Sequence, residues 1–268
     1  MEILLTGTGA SEGIPSLYAD SRVSQYAHQH GGKDRRSRAS ALVDGFLKID
    51  MGPDTLGQVG ALGLNPREWG AVLYTHSHDD HFAASELQYS LYPFTSLHEC
   101  PYSIYGNQVV LDAIHLKYPE WPFDLHLTES FRAFQVAEYT VTPIHAMHKL
   151  DEDAQNLIIS DGHSTLLYAT DTGLWDETTW EFLRDFRLDA LVIECTEGLN
   201  KTSYYGHLAL SECVDQVQRL RKAGILRADG PVATTHISHF GDLTHAELAN
   251  QLAPHNILAG YDGMSFTF

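Results

Sequence analysis

The densest group of metal-binding side chains lies at residues 75–81, which read Thr-His-Ser-His-Asp-Asp-His. In an extended chain, residues two apart face the same way, so His76 and His78 can present their imidazoles to one point. If a helix starts directly afterwards, Asp80 and His81 face the other side and can bind a second ion. Nitrogen ligands with a carboxylate suit zinc, and also manganese or iron. An ordinary polar turn would not explain three histidines and an aspartate in six residues, so the segment predicts metal binding.

Three further segments offer ligands at the ends of predicted strands. They supply His145 and His148, then Asp171, and finally His236 and His239. Each is weak alone, because a single histidine or aspartate at a strand end is more often a turn residue. A carboxylate with two oxygens can bridge ions about 3.5–4 Å apart, which makes Asp171 the natural bridge. Together with residues 75–81, these segments predict a centre for two metal ions.

Short strands and amphipathic helices must hold these side chains. Runs rich in Val, Ile, Leu, Tyr and Thr predict strands at 3–6, 41–50, 71–75, 139–144, 156–160, 165–170, 190–195 and 231–235. Helical periodicity predicts helices at 54–63, 83–92, 107–117, 177–185, 209–223 and 244–252. Strands in hairpin-like runs with interspersed helices favour a two-sheet α/β sandwich with helices outside. No shift in composition marks a linker, so we expect one domain over residues 1–268.

Composition narrows the possible partners. The 268 residues carry 17 Lys and Arg against 35 Asp and Glu, a formal charge of −18, and include 16 histidines. This acidity argues against general nucleic-acid affinity, which calls for a basic face. Three widely spaced cysteines exclude a disulfide framework and a CxxC zinc knuckle. With neither a membrane-length apolar run nor a leader-like start, the sequence leads us to expect a soluble, cytoplasmic protein.

Two segments differ from the rest of the chain. Residues 22–38 hold five basic residues and one aspartate, which predicts either an anion-binding patch or a solvated basic loop. Residues 89–123 are dense in Tyr, Phe, Trp and Pro, which fits either the wall of a cavity or a small packed core of its own.

The pattern His-x-His-x-Asp-His at 76–81 resembles the hallmark of the metallo-β-lactamase fold superfamily. The resemblance extends to Leu5-Thr6-Gly7-Thr8-Gly9, Thr170-Asp171-Thr172-Gly173, Gly206-His207-Leu208, Thr235-His236-Ile237-Ser238-His239 and Gly260-Tyr261-Asp262-Gly263-Met264. These motifs are most similar to the branch that contains the cyclic-phosphoribosyl phosphodiesterase of phosphonate catabolism and tRNase Z. The resemblance implies a four-layer αββα sandwich with mixed and antiparallel sheets, and metals at the edge of the sandwich.

The resemblance also implies roles for particular residues. His76, His78 and one of His145 or His148, with His148 preferred, would hold metal one; Asp80, His81 and His236 would hold metal two, and Asp171 would bridge them. His207 matches the general acid of the phosphodiesterase, and Glu194 resembles its acidic partner in tRNase Z. Asp80 would also orient the attacking hydroxide. Asp50 is expected to support the metal loop from outside the ligand shell.

These features predict a hydrolase with two divalent ions, zinc or manganese with iron as a further option. We expect hydroxide made by the ions to attack a small or cyclic phosphodiester while His207 protonates the leaving group. The alternatives are hydrolysis of a carboxylic ester, thioester or lactone, a tRNase Z-like ribonuclease, and a non-catalytic metal-binding protein. The expected partner is a small anionic substrate, with a homodimer as an option and no membrane or nucleic-acid partner. Residues 16–38 contain no cysteine, unlike the cyclic-phosphodiesterase relatives, so their structural zinc is not expected.

Overall fold

A computed structural model describes all 268 residues as two sheets with helices against their outer faces. The strands β1 to β14 span Glu2–Gly7, Ser40–Val43, Leu47–Ile49, Ala71–Leu73, Ser103–Gly106, Asp124–Leu127, Phe134–Val136, Tyr139–His145, Gln155–Ser160, Thr165–Ala169, Ala190–Glu194, Val232–Thr235, Leu258–Ala259 and Met264–Thr267. The helices α1 to α7 span Arg22–His30, Thr55–Leu62, Ala84–Leu87, Gln108–Lys117, Glu177–Leu183, Leu210–Lys222 and His245–Leu252.

Each sheet has seven strands and mixes parallel with antiparallel pairs. The first has the order β14-β1-β2-β3-β4-β5-β6, antiparallel from β14 to β3 and parallel from β3 to β6. The second has the order β13-β12-β11-β10-β9-β8-β7, parallel from β13 to β10 and antiparallel from β10 to β7. Strands β8, β10, β11 and β12 therefore all point the same way, which brings their carboxyl ends to one edge.

Three hydrophobic interfaces separate four layers. Along a strand, side chains alternate between faces, and Ala71 and Leu73 of β4 accordingly pack between the two sheets while Val72 packs under α3 and α4. In β11, Val192 faces the first sheet, whereas Leu191 packs under the helices α1, α5, α6 and α7. Strands buried on both faces read as continuous apolar runs. This arrangement is the αββα sandwich that the sequence predicts.

The main elements agree with the predicted ones, with differences at specific places. The predicted strand 41–50 is a hairpin, because Asp44 and Gly45 both take positive φ and reverse the chain between β2 and β3. The predicted helix 83–92 is shorter, with α3 followed by a 3₁₀ turn over Gln88–Ser90. Five strands were not predicted, β5, β6, β7, β13 and β14, and four of these form the sheet edges. Edge strands are short and half solvated, so their hydrophobic pattern is weak.

Residues 22–38 form neither a solvated loop nor a free basic patch. They begin as α1, and Arg22 pairs with Asp242 and Glu247 at 3.0 Å. Arg38 pairs with Asp54 at 2.9 Å, and the buried Arg36 donates hydrogen bonds to the Thr8 hydroxyl and the Gly260 carbonyl. Arg22 and Arg38 are therefore neutralised by ion pairs within the protein, whereas the exposed Lys33 and Arg35 form no ion pair.

The aromatic segment 89–123 contributes both to a packed core and to the wall of a cavity, the two alternatives that the sequence left open. Tyr102 belongs to the buried cluster under α4, whereas Tyr89, Tyr92 and Phe94 are exposed. Tyr89 and Tyr102 also line a cavity of about 540 Å³ that contains none of the predicted metal ligands. None of the seven helices has the length and apolar character that a membrane-spanning helix requires.

Candidate metal centre

The predicted ligands meet at the edge where several strands end. His76 follows β4, His148 follows β8, Asp171 follows β10 and His236 follows β12. Strands β8, β10 and β12 point the same way within the second sheet, so the loops that leave their carboxyl ends converge, and the loop after β4 of the first sheet meets them at the same edge of the sandwich. Short loops on rigid strands hold their side chains more firmly than long loops would. The sandwich therefore concentrates nitrogen and oxygen ligands in one place.

One group of ligand atoms comprises His76, His78, His148 and Asp171, with all four atoms within 4.8 Å of one another. His78 Nδ1 lies 3.0 Å from Nε2 of both His76 and His148. Asp171 Oδ2 lies 3.2 Å from His76 Nε2 and 3.4 Å from His148 Nε2. Three ring nitrogens and a carboxylate oxygen therefore surround one point.

A second group shares Asp171 and adds Asp80, His81 and His236. Asp171 Oδ1 lies 2.8 Å from His236 Nε2, while its Oδ2 lies 3.1 Å from His81 Nε2. Asp80 Oδ2 lies 3.1 Å from His81 Nε2 and 3.4 Å from His236 Nε2. Asp171 thus faces both groups, which is the position that a bridging carboxylate requires.

Hydrogen bonds outside the cluster set the orientation of the imidazole rings. His81 donates its Nδ1–H to Asp50 Oδ2 at 2.7 Å, and His148 donates its Nδ1–H to the Gly206 carbonyl at 2.9 Å. The Thr196 hydroxyl donates to the His236 carbonyl and therefore accepts from His236 Nδ1–H at 2.9 Å. Each ring thus turns its Nε2 lone pair inward.

The same logic holds for His76. The Thr75 hydroxyl donates to Asp50 at 2.9 Å, so it accepts the Nδ1–H of His76 at 3.0 Å. An outer acceptor that fixes the tautomer of an inward-facing imidazole is the usual support of a metal-binding histidine. Four of the five clustered histidines have this support.

The electrostatics of the cluster call for positive charge at its centre. Burial opposes ionisation of Asp171, but His236, His81 and His148 hold the pKa of this carboxyl well below its usual range. Burial likewise opposes ionisation of Asp80, whose pKa His81 and His236 hold far below normal. Burial lowers the pKa of His236, but Asp171 outweighs it and raises the pKa to about 10. The buried carboxylates thus require a cation or protons on the facing rings.

Two observations test whether divalent metal ions fit. Nε2 of the fully buried His81 has no hydrogen-bond partner, although an unsatisfied buried polar atom is costly. Burial also lowers the pKa of His148 to about 4, so this ring is neutral at pH 7 and its inward lone pair is available. Inward lone pairs, two carboxylates and a satisfied outer shell fit divalent ions of the kind that histidine and aspartate bind.

Backbone conformation adds to this preorganisation. Asp50, Asp171 and His236 all have positive φ, at 56°, 46° and 56°. Residues other than glycine rarely have positive φ. Those that do are often found at functional sites, where the surrounding structure holds the strained backbone in place. The strained backbone turns these three side chains sharply out of their strands towards the cluster.

A third group joins the metal cluster to a possible proton donor. His207 Nδ1 lies 2.8 Å from Glu194 Oε1, and Glu194, at the end of β11, is fully buried. Glu194 also accepts hydrogen bonds from the backbone N–H groups of Thr172 and Leu208. Burial lowers the pKa of His207, but Glu194 outweighs it and raises the pKa above the usual value. The ring stacks on His236 with centroids 5.2 Å apart.

The remaining predicted residues lie around this centre. Asp50 contacts His81 from outside the cluster. His145, in β8, lies outside the three groups of converging ligands, so the structure brings His148 and not His145 to His76 and His78. His239 is buried, with Nε2 3.9 Å from Glu12 Oε1.

Sequence reasoning missed several supporting residues. Thr75 and Thr196 orient the rings of His76 and His236. In the sequence, only their positions point to this role: Thr75 is adjacent to His76, and Thr196 is two residues after Glu194. Glu152 accepts hydrogen bonds from Ser77 Oγ at 2.8 Å and Asn107 Nδ2 at 2.8 Å, and so anchors the metal loop. A lone glutamate after His148 carries no pattern that predicts this contact.

Comparisons with solved structures agree with this fold. A diphosphatase described as belonging to the PhnP family is 25% identical, with a TM-score of 0.79, covering 100% of this chain and 97% of that one. Zn²⁺-bound PqqB from Methylobacterium extorquens is 15% identical, with a TM-score of 0.75 and full coverage of both chains. The short form of human tRNase Z is 16% identical, with a TM-score of 0.67, covering 100% of this chain and 99% of that one. The last two likenesses bear on the fold alone.

Sequence comparison adds a curated relative and a family. A protein of Porphyromonas gingivalis named octanoyltransferase is 28% identical over 280 residues, which cover 98% of this chain and 51% of that protein. The chain therefore spans about half the length of this relative. The sequence model described as "Beta-lactamase superfamily domain" matches residues 47–228, which include His76 to His81, His148, Asp171 and His207. The chain belongs to the beta-lactamase superfamily and has the metallo-β-lactamase fold, and its clustered histidines and aspartates are suited to bind divalent metal ions.

Proposed function

We propose that this protein is a phosphodiesterase that uses two divalent metal ions, zinc or manganese, to hydrolyse a small or cyclic phosphodiester. The observation that carries the proposal is the position of His207. It is held by a buried glutamate, lies beside the ligand cluster and lines a cleft open to solvent. A hydrolase whose leaving group departs unaided has no need of such a proton donor.

The ligand groups divide between the two ions. His76, His78 and His148 would hold one, Asp80, His81 and His236 would hold the other, and Asp171 would contact both through its two oxygens. Divalent ions at these positions supply water activation at neutral pH and polarise the phosphoryl oxygens. Asp80 is also placed to accept a hydrogen bond from the attacking water and so orient it.

His207 and Glu194 supply the other half of the chemistry. Glu194 Oε1 accepts the Nδ1–H of His207, which leaves Nε2 as the atom that can hand a proton to the departing alkoxide. Backbone N–H groups of Thr172, Thr196 and Leu208 donate to the Glu194 carboxylate and hold it in position while His207 gives up its proton. The side chain of His207 is 18% exposed, so it can reach a substrate in the cleft.

The comparisons support this reaction class without specifying the substrate. One similar structure is described as a diphosphatase from the PhnP family, and another is named tRNase Z. The name octanoyltransferase belongs to a protein about twice as long, of which this chain matches 51%, so acyl transfer is not assigned to the matched half.

The test compares two leaving groups in the His207→Ala variant. A 2′,3′-cyclic nucleotide releases an alkoxide that needs a proton, whereas bis(p-nitrophenyl) phosphate releases a stabilised phenolate. We expect His207→Ala to lower kcat by about 10²–10⁴ for the cyclic nucleotide, because one general acid contributes about this much, and by far less for the aryl ester. His163→Ala, which changes an exposed histidine in the β9–β10 turn, is the matched control.

Other results would favour the alternatives. Equal losses on both substrates would remove His207 as the general acid. A metal-loaded protein that cleaves no phosphodiester but hydrolyses a thioester or lactone would belong to the carboxylic ester class. Activity confined to precursor tRNA would indicate a tRNase Z-like ribonuclease.

A further inference from the structure

A cleft of about 410 Å³ opens beside the metal cluster, with His207 and His236 on its inner wall. Its outer walls come from the loops after β1, β11 and β12, with Glu12, Glu197, Asn200, Thr202, Tyr204 and Phe240 among the lining residues. Because a general acid must reach the oxygen that leaves, the alcohol released by hydrolysis would occupy this side of the centre.

His207 and His236 bring positive charge to the inner wall of this cleft, but its outer wall is negative. Glu12 and Glu197 are its two carboxylates, and no lysine or arginine lines it. Glu12 Oε1 accepts from Ser238 Oγ at 2.6 Å, and Glu197 Oε2 accepts from the Thr202 N–H at 2.8 Å. Neither carboxylate forms an ion pair with a lysine or arginine. The one contact with a basic side chain is between His239 Nε2 and Glu12 Oε1, at 3.9 Å.

The basic residues of 22–38 do not neutralise the carboxylates of Glu12 and Glu197. Arg38 reaches the cleft only through a hydrogen bond to the Ser11 carbonyl, and its guanidinium is paired with Asp54. Arg35 and Arg36 line a different cavity, of about 730 Å³, together with Asp54 and Asp262. A second phosphate on the leaving group would therefore meet no lysine or arginine on the outer wall of the cleft.

We propose that this carboxylate cleft binds the leaving-alcohol portion of the substrate, and that this portion is rich in hydroxyl groups and carries no anionic group besides the reacting phosphate. The proposal rests on the phosphodiesterase function given above. Carboxylates accept hydrogen bonds from sugar hydroxyls, as in dinucleotide-binding sites where an acidic residue binds the ribose. An anionic substituent would instead face two like charges, and such juxtaposition discriminates strongly against the wrong ligand.

The other walls suit the same ligand. The Thr202 hydroxyl donates to Glu197 Oε1 and the Asn200 amide nitrogen donates to the Phe240 carbonyl, so both residues present their oxygens as acceptors to a sugar hydroxyl. The ring of Tyr204 lies 5.4 Å from that of His207, and it is 43% exposed at the mouth of the cleft. An aromatic face can pack against the apolar face of a sugar or the plane of a base. A sugar or nucleoside alcohol is thus the class that the cleft accommodates.

The test uses 2′,3′-cyclic AMP and the same nucleotide with a 5′-phosphate, which differ only in an anionic group on the leaving sugar. The metal-loaded enzyme should hydrolyse the first with a kcat/KM at least about tenfold higher, since one such like-charge contact is worth this factor or more. Glu12→Gln and Glu197→Gln should each reduce this ratio about threefold or more. Glu138→Gln, which removes an exposed charge from the turn before β8, should leave it unchanged.

A binding measurement separates this proposal from the phosphodiesterase function. Calorimetry on the metal-loaded His207→Ala variant should give a Kd at least about tenfold lower for the unphosphorylated probe. If that preference is present but the wild type hydrolyses neither probe, the cleft's specificity stands and the phosphodiesterase function fails. Equal or better binding of the phosphorylated probe, or a ratio unaffected by Glu12→Gln, would overturn the proposal. A tenfold preference for glycerophosphocholine would do so too, by showing that the cleft selects a cation.

Discussion

Replacing Asp50 with asparagine should weaken metal binding although Asp50 is not among the proposed ligands. Its Oδ2 accepts the Nδ1–H of His81 at 2.7 Å, and its Oδ1 accepts the Thr75 N–H at 2.8 Å. An asparagine that keeps its oxygen on Thr75 must turn its amide nitrogen towards His81, so two donors face each other. His81 can then avoid the clash only by moving its proton to Nε2 or by rotating away.

Either response removes His81 as a ligand. A proton on Nε2 would point at Asp80 and Asp171, which lie 3.1 Å away, and would occupy the place of the metal. Loss of such an outer hydrogen bond typically lowers metal affinity by about 10- to 100-fold, or about 1.4 to 2.7 kcal/mol. Because Asp50 is fully buried and bulk water cannot replace the lost hydrogen bond, we expect the upper half of this range.

The assay is zinc affinity, measured by competition with a chromophoric chelator, together with thermal unfolding of the metal-loaded protein. Asp44→Asn is a matched control, because Asp44 also has positive φ, 49° against 56° for Asp50, and asparagine tolerates this conformation. Asp44 lies in the β2–β3 turn, where it contacts the Glu2 N–H and the Tyr139 hydroxyl. Zinc affinity within threefold of wild type in Asp50→Asn, or an equal loss in Asp44→Asn, would refute the tautomer argument.

Two further predictions concern loop packing and pH. Gly173→Ala should lower kcat and the midpoint of thermal unfolding, because a Cβ there would clash with the Tyr205 carbonyl and displace the loop that carries His207; Gly57→Ala, whose Cβ would meet open space in α2, should instead be neutral or stabilising. Burial lowers the pKa of Lys48 in β3 from 10.5 to about 7, against the opposing effect of Asp50. Between these values the unfolded chain binds a proton that the folded chain lacks, so the unfolding free energy should rise with pH relative to Lys48→Met, by up to about 1.4 kcal/mol per pH unit. Urea unfolding of both proteins between pH 7 and pH 9 measures this, and a constant difference would contradict it.

Much of the fold follows from local pattern. The interior strands β4, β8, β9, β10, β11 and β12 are all predicted within a few residues, because strands buried on both faces are continuously apolar. Helix α7 is predicted by its capping box, in which Thr244 and Glu247 cap each other. The edges β6, β7, β13 and β14 escape prediction, because they are short and half exposed and depend on a neighbouring strand to exist.

The basic segment shows where local pattern misleads. Five basic residues in 22–38 suggest an anion-binding surface, but the partners of Arg22, Arg36 and Arg38 lie up to 225 residues away in the sequence. Counting charges along a sequence window includes only residues that are neighbours in sequence, and so omits partners that folding brings close. The neutralising carboxylates of Asp242 and Glu247 come from the opposite end of the chain.

The sequence by itself determined the chemistry that the protein can use, because the types and spacing of His76 to His81 admit little besides metal binding. The sequence also suggested Asp171 as the bridge and favoured His148, but only the tertiary structure showed that His148 and not His145 reaches the cluster and that Asp171 lies between the two ligand groups. It alone lined the adjoining cleft with Glu12 and Glu197. The reason is physical. A ligand cluster within one loop is fixed by local backbone geometry, whereas the choice among distant residues depends on the direction in which each strand ends and on the packing of the two sheets.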